Sequence, residues 1–364
     1  MMASSNSRSS GESTRAKAST DQPVERRLVV HVGMPRAGSS TLQEVLFHYR
    51  QKLEQHGLLY PAQSAALAGP ATNSQLYNHK LLLKSAKAYW PPGRFAALHQ
   101  DIAGQMAASA APCILLSCEG WWGPGSIRAL ARTVGYFEQQ GGRLEPSIVA
   151  VVREPASFLT SLYKLDVLHG RVDVSLEDFW PTKISDSCLR FGSIARRLKD
   201  HFGSVTMLDF DTLSDGDRFV GSFLSAVGLG GVLSNAGLKA LEHHRSAGNA
   251  QFADSRVSMV LFAVRQLGRR AFRSRRNAVL DLISRLAARA DLAEELGKLS
   301  IQLAPGSVNA IVAATRSETE DLANATALRL PDGRQTMIAG QGQTMIAGHS
   351  PLGLLMRDEL SRLA

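Results

Sequence analysis

Two glycines and a cation fall within nine residues of one another in GMPRAGSST, residues 33 to 41. A helix start leaves backbone N–H groups without intrahelical partners and carries about half a positive charge. A Gly-containing turn in front of it lets an anion come close to those donors. Here Leu28, Val29 and Val30 supply an apolar strand, Gly33 and Gly38 the turn, and Ser39, Ser40 and Thr41 three hydroxyls at the head of a helical pattern. The plainer alternative is a strand-to-helix turn with Ser as N-cap. A nucleotide kinase loop would carry Lys directly after the second glycine. Position 39 is Ser, and the loop's cation is Arg36, two residues before Gly38.

A second group lies in VVREPASFLTSLY, residues 151 to 163. Arg153 ends an apolar run, Pro155 opens a helix, and Ser161 follows Arg153 by eight residues, with Tyr163 two beyond. A guanidinium in that place can grip a phosphate in bidentate fashion. The alternative is a surface arginine and an unremarkable helix serine. Two residues could take a proton. Glu119 ends CILLSCE, and a parallel sheet delivers the end of such a strand to the carboxyl edge, where ligands bind. It could equally pair with an arginine or cap the next helix. His79, in LYNHKLLL, has a side chain that titrates near neutral pH. His31 reads as a packing or donor-site residue, and Trp121 or Trp122 as a stacking platform or a core side chain.

These residues need a scaffold that brings several strand ends together. Short, nearly continuous apolar runs at 28–33, 113–119, 147–154 and 205–211 alternate with helical patterns at 38–55, 126–140, 155–168, 190–202 and 217–227. That alternation predicts an α/β fold with a parallel sheet flanked by helices in three layers. The stretch 60–95, rich in Pro, Gly, Asn and Tyr, reads as an excursion over the sheet with one helix near 78–88.

The order P-[K/R]-x-G-[S/T]-[S/T] at Pro35–Ser40, followed by Arg153 and Ser161, resembles the PAPS-dependent sulfotransferases, in particular their bacterial sulfotransferase-like branch. TLQEVLFHYRQKLEQHGLLYP and LKDHFGSVTMLDFDTLSDGDRFVGSFLSAVGL extend the likeness over roughly residues 27–260. Arg stands at position 36 where Lys is commoner, and Ser39-Ser40 where Thr-Thr is usual. The resemblance implies a P-loop NTPase-like fold and PAPS as donor, with no metal required. It implies a 5′-phosphosulfate loop of Pro35, Arg36, Ala37, Gly38, Ser39, Ser40 and Thr41, with Arg36 on the bridging oxygen. Arg153 and Ser161 would then hold the 3′-phosphate, and Glu119 or His79 would be the base. By the same analogy the acceptor is a hydroxyl, on a carbohydrate or glycolipid. A non-catalytic relative that binds a nucleotide or polyanion, or a degenerate P-loop kinase, are the alternatives.

The chain has 364 residues, 44% apolar and 20% charged, with a formal net charge of +9. Such a balance favours an anionic partner. No helix-turn-helix, zinc spacing or aromatic ribonucleoprotein motif points to nucleic acid. Three cysteines without metal-ligand spacing suit a reducing, cytoplasmic setting. No apolar run approaches the ~20 residues of a transmembrane helix, which leaves peripheral membrane contact open. Residues 1–25 are a polar Ser-rich tail, 26–330 the α/β domain, and 331–364 an extension with a terminal helix. In that extension QTMIAG occurs twice, at a period of eight residues. RQLGRRAFRSRR, 265–276, packs six arginines into twelve positions.

Overall fold

Successive residues of a strand point to opposite faces of its sheet, so a strand buried at every position must be covered on both sides. Leu28, Val29 and Val30 are at most 1% exposed, and Ile148 to Val152 at most 2%. In the computed structural model these runs are the central strand of a five-stranded sheet, β1 (Arg26–Gly33), and its inner neighbour β4 (Leu144–Val152). Around them lie β2 (Leu58–Leu59), β3 (Cys113–Ser117) and β5 (Ser204–Asp209), in the order β2-β3-β1-β4-β5, every pair parallel. The structure describes residues 25–63, 77–86, 92–141, 143–214, 218–233, 253–326, 328, 330 and 343–363. The Ser-rich tail up to residue 24, much of the 60–95 excursion and the first QTMIAG copy lie outside them.

The class is the expected one, a parallel sheet between helices. β1 leads into α1 (Ser39–His48) and α2 (Arg50–Gln55), which replace the single helix expected over 38–55 and meet at Tyr49. α3 (Lys80–Ala86) and α4 (Pro92–Ala108) precede β3, and α5 (Ile127–Gly141) precedes β4. β4 runs into α6 (Pro155–Leu168) through a compact cap. Pro155 takes the first helical position and the Glu154 carboxylate accepts from the N–H groups of Ala156 and Ser157. α7 (Leu176–Lys183) and α8 (Phe191–Phe202) lead to β5, and α9 (Phe210–Ser214) and α10 (Phe219–Ala226) follow it.

The remaining helices are α11 (Asp254–Leu267), α12 (Arg269–Ser274), α13 (Arg276–Ala287), α14 (Ala293–Gly297), α15 (Pro305–Thr326) and α16 (Pro351–Leu363). α15 lies against α8 so closely that a Cβ at Gly192 would fall 3.0 Å from the Glu318 carbonyl oxygen. The apolar core runs without a break from the strands to Met356 and Leu360 of α16.

The second QTMIAG copy has a definite place. Gln343 Oε1 accepts from Leu176 N–H at 2.8 Å, and its Nε2 donates to the Tyr163 hydroxyl at 3.2 Å. Thr344 pairs with Ser300 in an antiparallel bridge, its N–H donating to the Ser300 carbonyl at 2.9 Å. One side chain therefore ties the C-terminal segment to α6 and to the start of α7. Gln343→Ala removes both bonds and leaves the Leu176 N–H without that partner, at a cost of about 1–2 kcal/mol. Urea unfolding followed by circular dichroism checks this; an unchanged midpoint would contradict it.

Candidate functional site

The ends of β1, β3, β4 and β5 share one edge of the sheet, so the loops after them meet. After β1, Met34 N–H donates to the Val151 carbonyl at 2.8 Å and Ala37 N–H to that of Met34 at 3.2 Å, closing a tight turn. Two residues there have left-handed backbone, Arg36 with φ +68 and Gly38 with φ +74. Gly38 suits the conformation; Arg36 does not, and holding it there costs energy. Gly38 is also the N-cap of α1, and no side chain caps that helix. The start of α1 is left with backbone donors, and the alternative of a Ser cap is set aside. A Cβ at Gly38 would run into the Phe210 ring and come within 3.0 Å of Phe219.

Ser39 is the first residue of α1, 2% exposed, and its Oγ has no hydrogen-bond partner. His31 is fully buried and its Nε2 likewise has none. Both atoms border Gly33: a Cβ there would collide with Ser39 Oγ and lie 3.2 Å from His31 Nε2. The other ring nitrogen of His31 meets Ser117 Oγ at 2.7 Å, and Gln43 Nε2 donates to the same oxygen at 3.1 Å. Burial drives the His31 pKa down to about 3, so the ring is neutral. Beneath the loop there is therefore a pair of buried polar atoms whose capacity is unspent, which buried groups seldom show without a ligand or water.

The two arginines meet. Arg36 Nε donates to Ser161 Oγ at 3.0 Å, and Arg153 Nη1 donates to the Arg36 carbonyl at 3.0 Å. The loop after β1 and the helix after β4 thus join in one cluster, with Arg36, Arg153 and Ser161 together. Burial and the Arg153 charge lower the Arg36 pKa, while Glu119 raises it. Glu119 is half-buried and begins a 3-10 turn (Glu119–Trp121), β3 having ended at Ser117. Pro35 and Thr41 are half-buried, Ala37 fully buried and Ser40 exposed.

Asp211, which sequence reasoning missed, organises the pair. Its Oδ1 accepts from Arg153 Nε at 3.0 Å and its Oδ2 from Glu154 N–H at 2.9 Å. Burial pushes the Asp211 carboxyl up, against the opposing pull of Arg153. The Arg153 guanidinium also lies 5.2 Å from the Phe210 ring centroid. The signal was present in LDFDTL: an acid just past the β5 run must reach the same edge as Arg153. These bonds use the Nε hydrogen and one Nη1 hydrogen of Arg153, two of the five N–H groups of its guanidinium.

His79 is not brought to this cluster as a proton acceptor. It is 1% exposed, its Nδ1 accepts from Ser117 N–H at 2.9 Å and its Nε2 donates to the Pro61 carbonyl at 3.0 Å. Its pKa is lowered to about 4, chiefly by burial. The ring is a tie between β3 and the chain after β2. Trp121 and Trp122 are core side chains at 0% and 3% exposure, and Trp122 Nε1 donates to the Cys188 carbonyl at 2.9 Å. Tyr163 is buried, its hydroxyl donating to the Val174 carbonyl at 2.9 Å. Among the described residues no group of three or more His, Cys, Asp or Glu could hold a metal ion. No described helix is long and apolar enough to cross a membrane.

No family model matches the chain, and no curated protein matches it. Among the solved structures to which the chain is similar are the following two. One is retinol dehydratase in complex with androsterone and the inactive cofactor PAP, at TM-score 0.33 and 12% identity, covering 84% of this chain and 83% of that one. The other comes from the PezAT chromosomal toxin–antitoxin system of Streptococcus pneumoniae, at TM-score 0.28 and 10% identity, covering 63% of this chain and 87% of that one. What the site can do rests on its own residues.

Two outcomes follow from this geometry. Gly38→Ala forces a Cβ into left-handed backbone and into Phe210, costing about 1–2 kcal/mol or more by chemical denaturation. A variant as stable as the parent would mean that the turn is not held as described. The two neutral histidines also set an acid limit. Their folded pKa values of about 3 and about 4 lie below the unfolded 6.5, so the unfolded chain binds the extra protons. Their contribution is complete above pH 6.5 and falls as pH drops towards 4, by about 1.4 kcal/mol per unit for each ring. The His79→Gln variant, unfolded in urea at pH 7 and pH 5, should lose less stability between the two than the parent does.

Proposed function

We propose that this cluster binds 3′-phosphoadenosine 5′-phosphosulfate and that the chain moves its sulfuryl group to a hydroxyl acceptor. The observation that carries this reading is the direct join of the two motifs, Arg36 Nε to Ser161 Oγ at 3.0 Å with Arg153 on the Arg36 carbonyl. Burial is the main cause of the lowered Arg36 pKa, and the Arg153 charge adds a repulsion of its own. A ligand with several anionic groups relieves it. The unspent Ser39 hydroxyl and His31 Nε2 and the uncapped start of α1 fit a compact oxyanion against the loop. The resemblance of Pro35–Ser40 and Arg153–Ser161 to the sulfotransferase pattern selects this donor among anionic nucleotides.

The roles divide by position. Arg36 and the N–H groups of Gly38 to Thr41 take up the charge that builds on the departing phosphate, each preorganised donor supplying roughly 3–4 kcal/mol. Ser161 and Arg153 hold the 3′-phosphate. Glu119, at the same edge and within electrostatic reach of Arg36, accepts the proton that the acceptor hydroxyl loses as its oxygen attacks sulfur. The sulfur–oxygen bond to the phosphate breaks as the new one forms, leaving 3′-phosphoadenosine 5′-phosphate and a sulfate ester. The acceptor is a carbohydrate or glycolipid hydroxyl.

Isothermal titration with 3′-phosphoadenosine 5′-phosphate in magnesium-free buffer tests the donor site. The parent should bind, and should prefer this nucleotide to AMP; Arg153→Ala should bind it about 10- to 100-fold more weakly, as the loss of a charge-assisted bond implies. Equal affinity for the two nucleotides would overturn the role of Arg153 and Ser161. Glu119→Gln should keep nucleotide binding while lowering turnover about 100-fold or more.

A further inference from the structure

The two buried polar atoms without a hydrogen bond at the loop, Ser39 Oγ and His31 Nε2, belong to one place. His31 and Gly33 are two residues apart on β1 and so share a face of the sheet. Ser39 Oγ fills the space that a Cβ at Gly33 would need, and His31 Nε2 lies 3.2 Å from that same point. The imidazole is fixed from other sides. Phe223 of α10 stands at 78° to it with ring centroids 5.1 Å apart, and Nδ1 meets Ser117 Oγ at 2.7 Å.

Which ring nitrogen carries the proton follows from Ser117. Gln43 Nε2 donates to Ser117 Oγ at 3.1 Å, since an amide nitrogen only donates. The Ser117 hydroxyl must then place its own proton. Its 2.7 Å contact with His31 Nδ1 has the length usual for an O–H donor and lies at the short limit for an N–H donor. Ser117 thus donates to Nδ1, and the single proton of the neutral ring sits on Nε2. The rival order sends the Ser117 proton to the Tyr60 oxygen, whose own proton goes to the Tyr77 carbonyl at 2.5 Å, and puts the ring proton on Nδ1. Only the first order makes Nε2 a donor.

We infer that His31 is a positioning residue of the donor site, whose Nε2–H supports the Ser39 oxygen while the Ser39 hydroxyl proton turns to the bound anion. Gln43, Ser117, His31 and Ser39 then make one relay in which every donor points the same way. Hydrogen bonds in such a row polarise one another. The last proton is left for an oxygen that only accepts, as the oxygens of a sulfuryl group or an ionised phosphate do. The identity of that anion rests on the donor reading above; the order of the protons does not.

Two-bond proton–nitrogen NMR correlations of the full-length protein, with the His31 signals assigned through His31→Gln, read the tautomer directly. A proton on Nε2 is expected, and a proton on Nδ1 overturns the relay. Affinities for 3′-phosphoadenosine 5′-phosphate and for inorganic sulfate test its use. Ser39→Ala and His31→Asn should each lose about tenfold, and the double variant no more than either alone. His31→Asn keeps an acceptor for Ser117 but no donor for Ser39, whereas His31→Gln brings an amide N–H near the place of Nε2. His31→Gln should therefore bind more tightly than His31→Asn. The opposite order, or losses that simply add, would mean a structural histidine and overturn the inference. Should the parent bind sulfate but no nucleotide, with the same losses in the variants, the relay stands and the sulfotransferase reading falls. Nucleotide binding unchanged in Ser39→Ala and His31→Asn keeps that reading and removes the relay.

Discussion

Asp211 holds together what repulsion would separate. Its two carboxylate oxygens take one N–H from the Arg153 side chain and one from the Glu154 backbone, so the end of β4 is fastened to the end of β5. Glu154, fully buried, spends its own carboxylate on the first N–H groups of α6. Arg153 is thus aimed from both sides at the loop after β1, where it meets the Arg36 carbonyl. The pairing of β1 with β4 brings both arginines to one edge of the sheet, and Asp211 fixes how Arg153 is held there. The concentration of positive charge at this edge is a property of the β4–β5 pairing as much as of the loop.

The loop is braced by packing in the same way. Phe210 and Phe219, from the helices after β5, fill the space that a side chain at Gly38 would need. His31, Ser117 and Gln43 form its polar floor, and His79 ties the back of β3 to the chain after β2. A neutral, buried histidine can only serve as such a floor where desolvation outweighs the gain from charge, as the low pKa values of His31 and His79 show. Packing and buried hydrogen bonds therefore hold the loop, and this keeps its donors in place before a ligand arrives.

Much of this was legible in the sequence, for a physical reason. Strands buried on both faces are nearly continuous in apolar residues, so 28–33 and 147–154 stood out, and the strand-to-helix junctions at Gly38 and Pro155 carried their own turn chemistry. β2 was hidden because two residues make no pattern. α15 was hidden because PGSVNAIVAATRSETEDLANAT has only a narrow apolar stripe, held by its packing on α8. His79 and Asp211 show the limit most clearly. A histidine is a base or a tie according to which backbone groups surround it, and an acid after a strand is a partner or a bystander according to which strand lies beside it. Neither fact is local in the chain.

The central claim is that Arg36 and Arg153 act as one anion-holding unit. Their side-chain Nε–Hε signals, assigned through Arg36→Lys and Arg153→Lys and followed by NMR during a titration with 3′-phosphoadenosine 5′-phosphate, test it most directly. Both signals should move together, with the same midpoint, and stop at one equivalent. If one moves without the other, or if the two follow different concentration dependences, the arginines do not hold one ligand and the account is wrong.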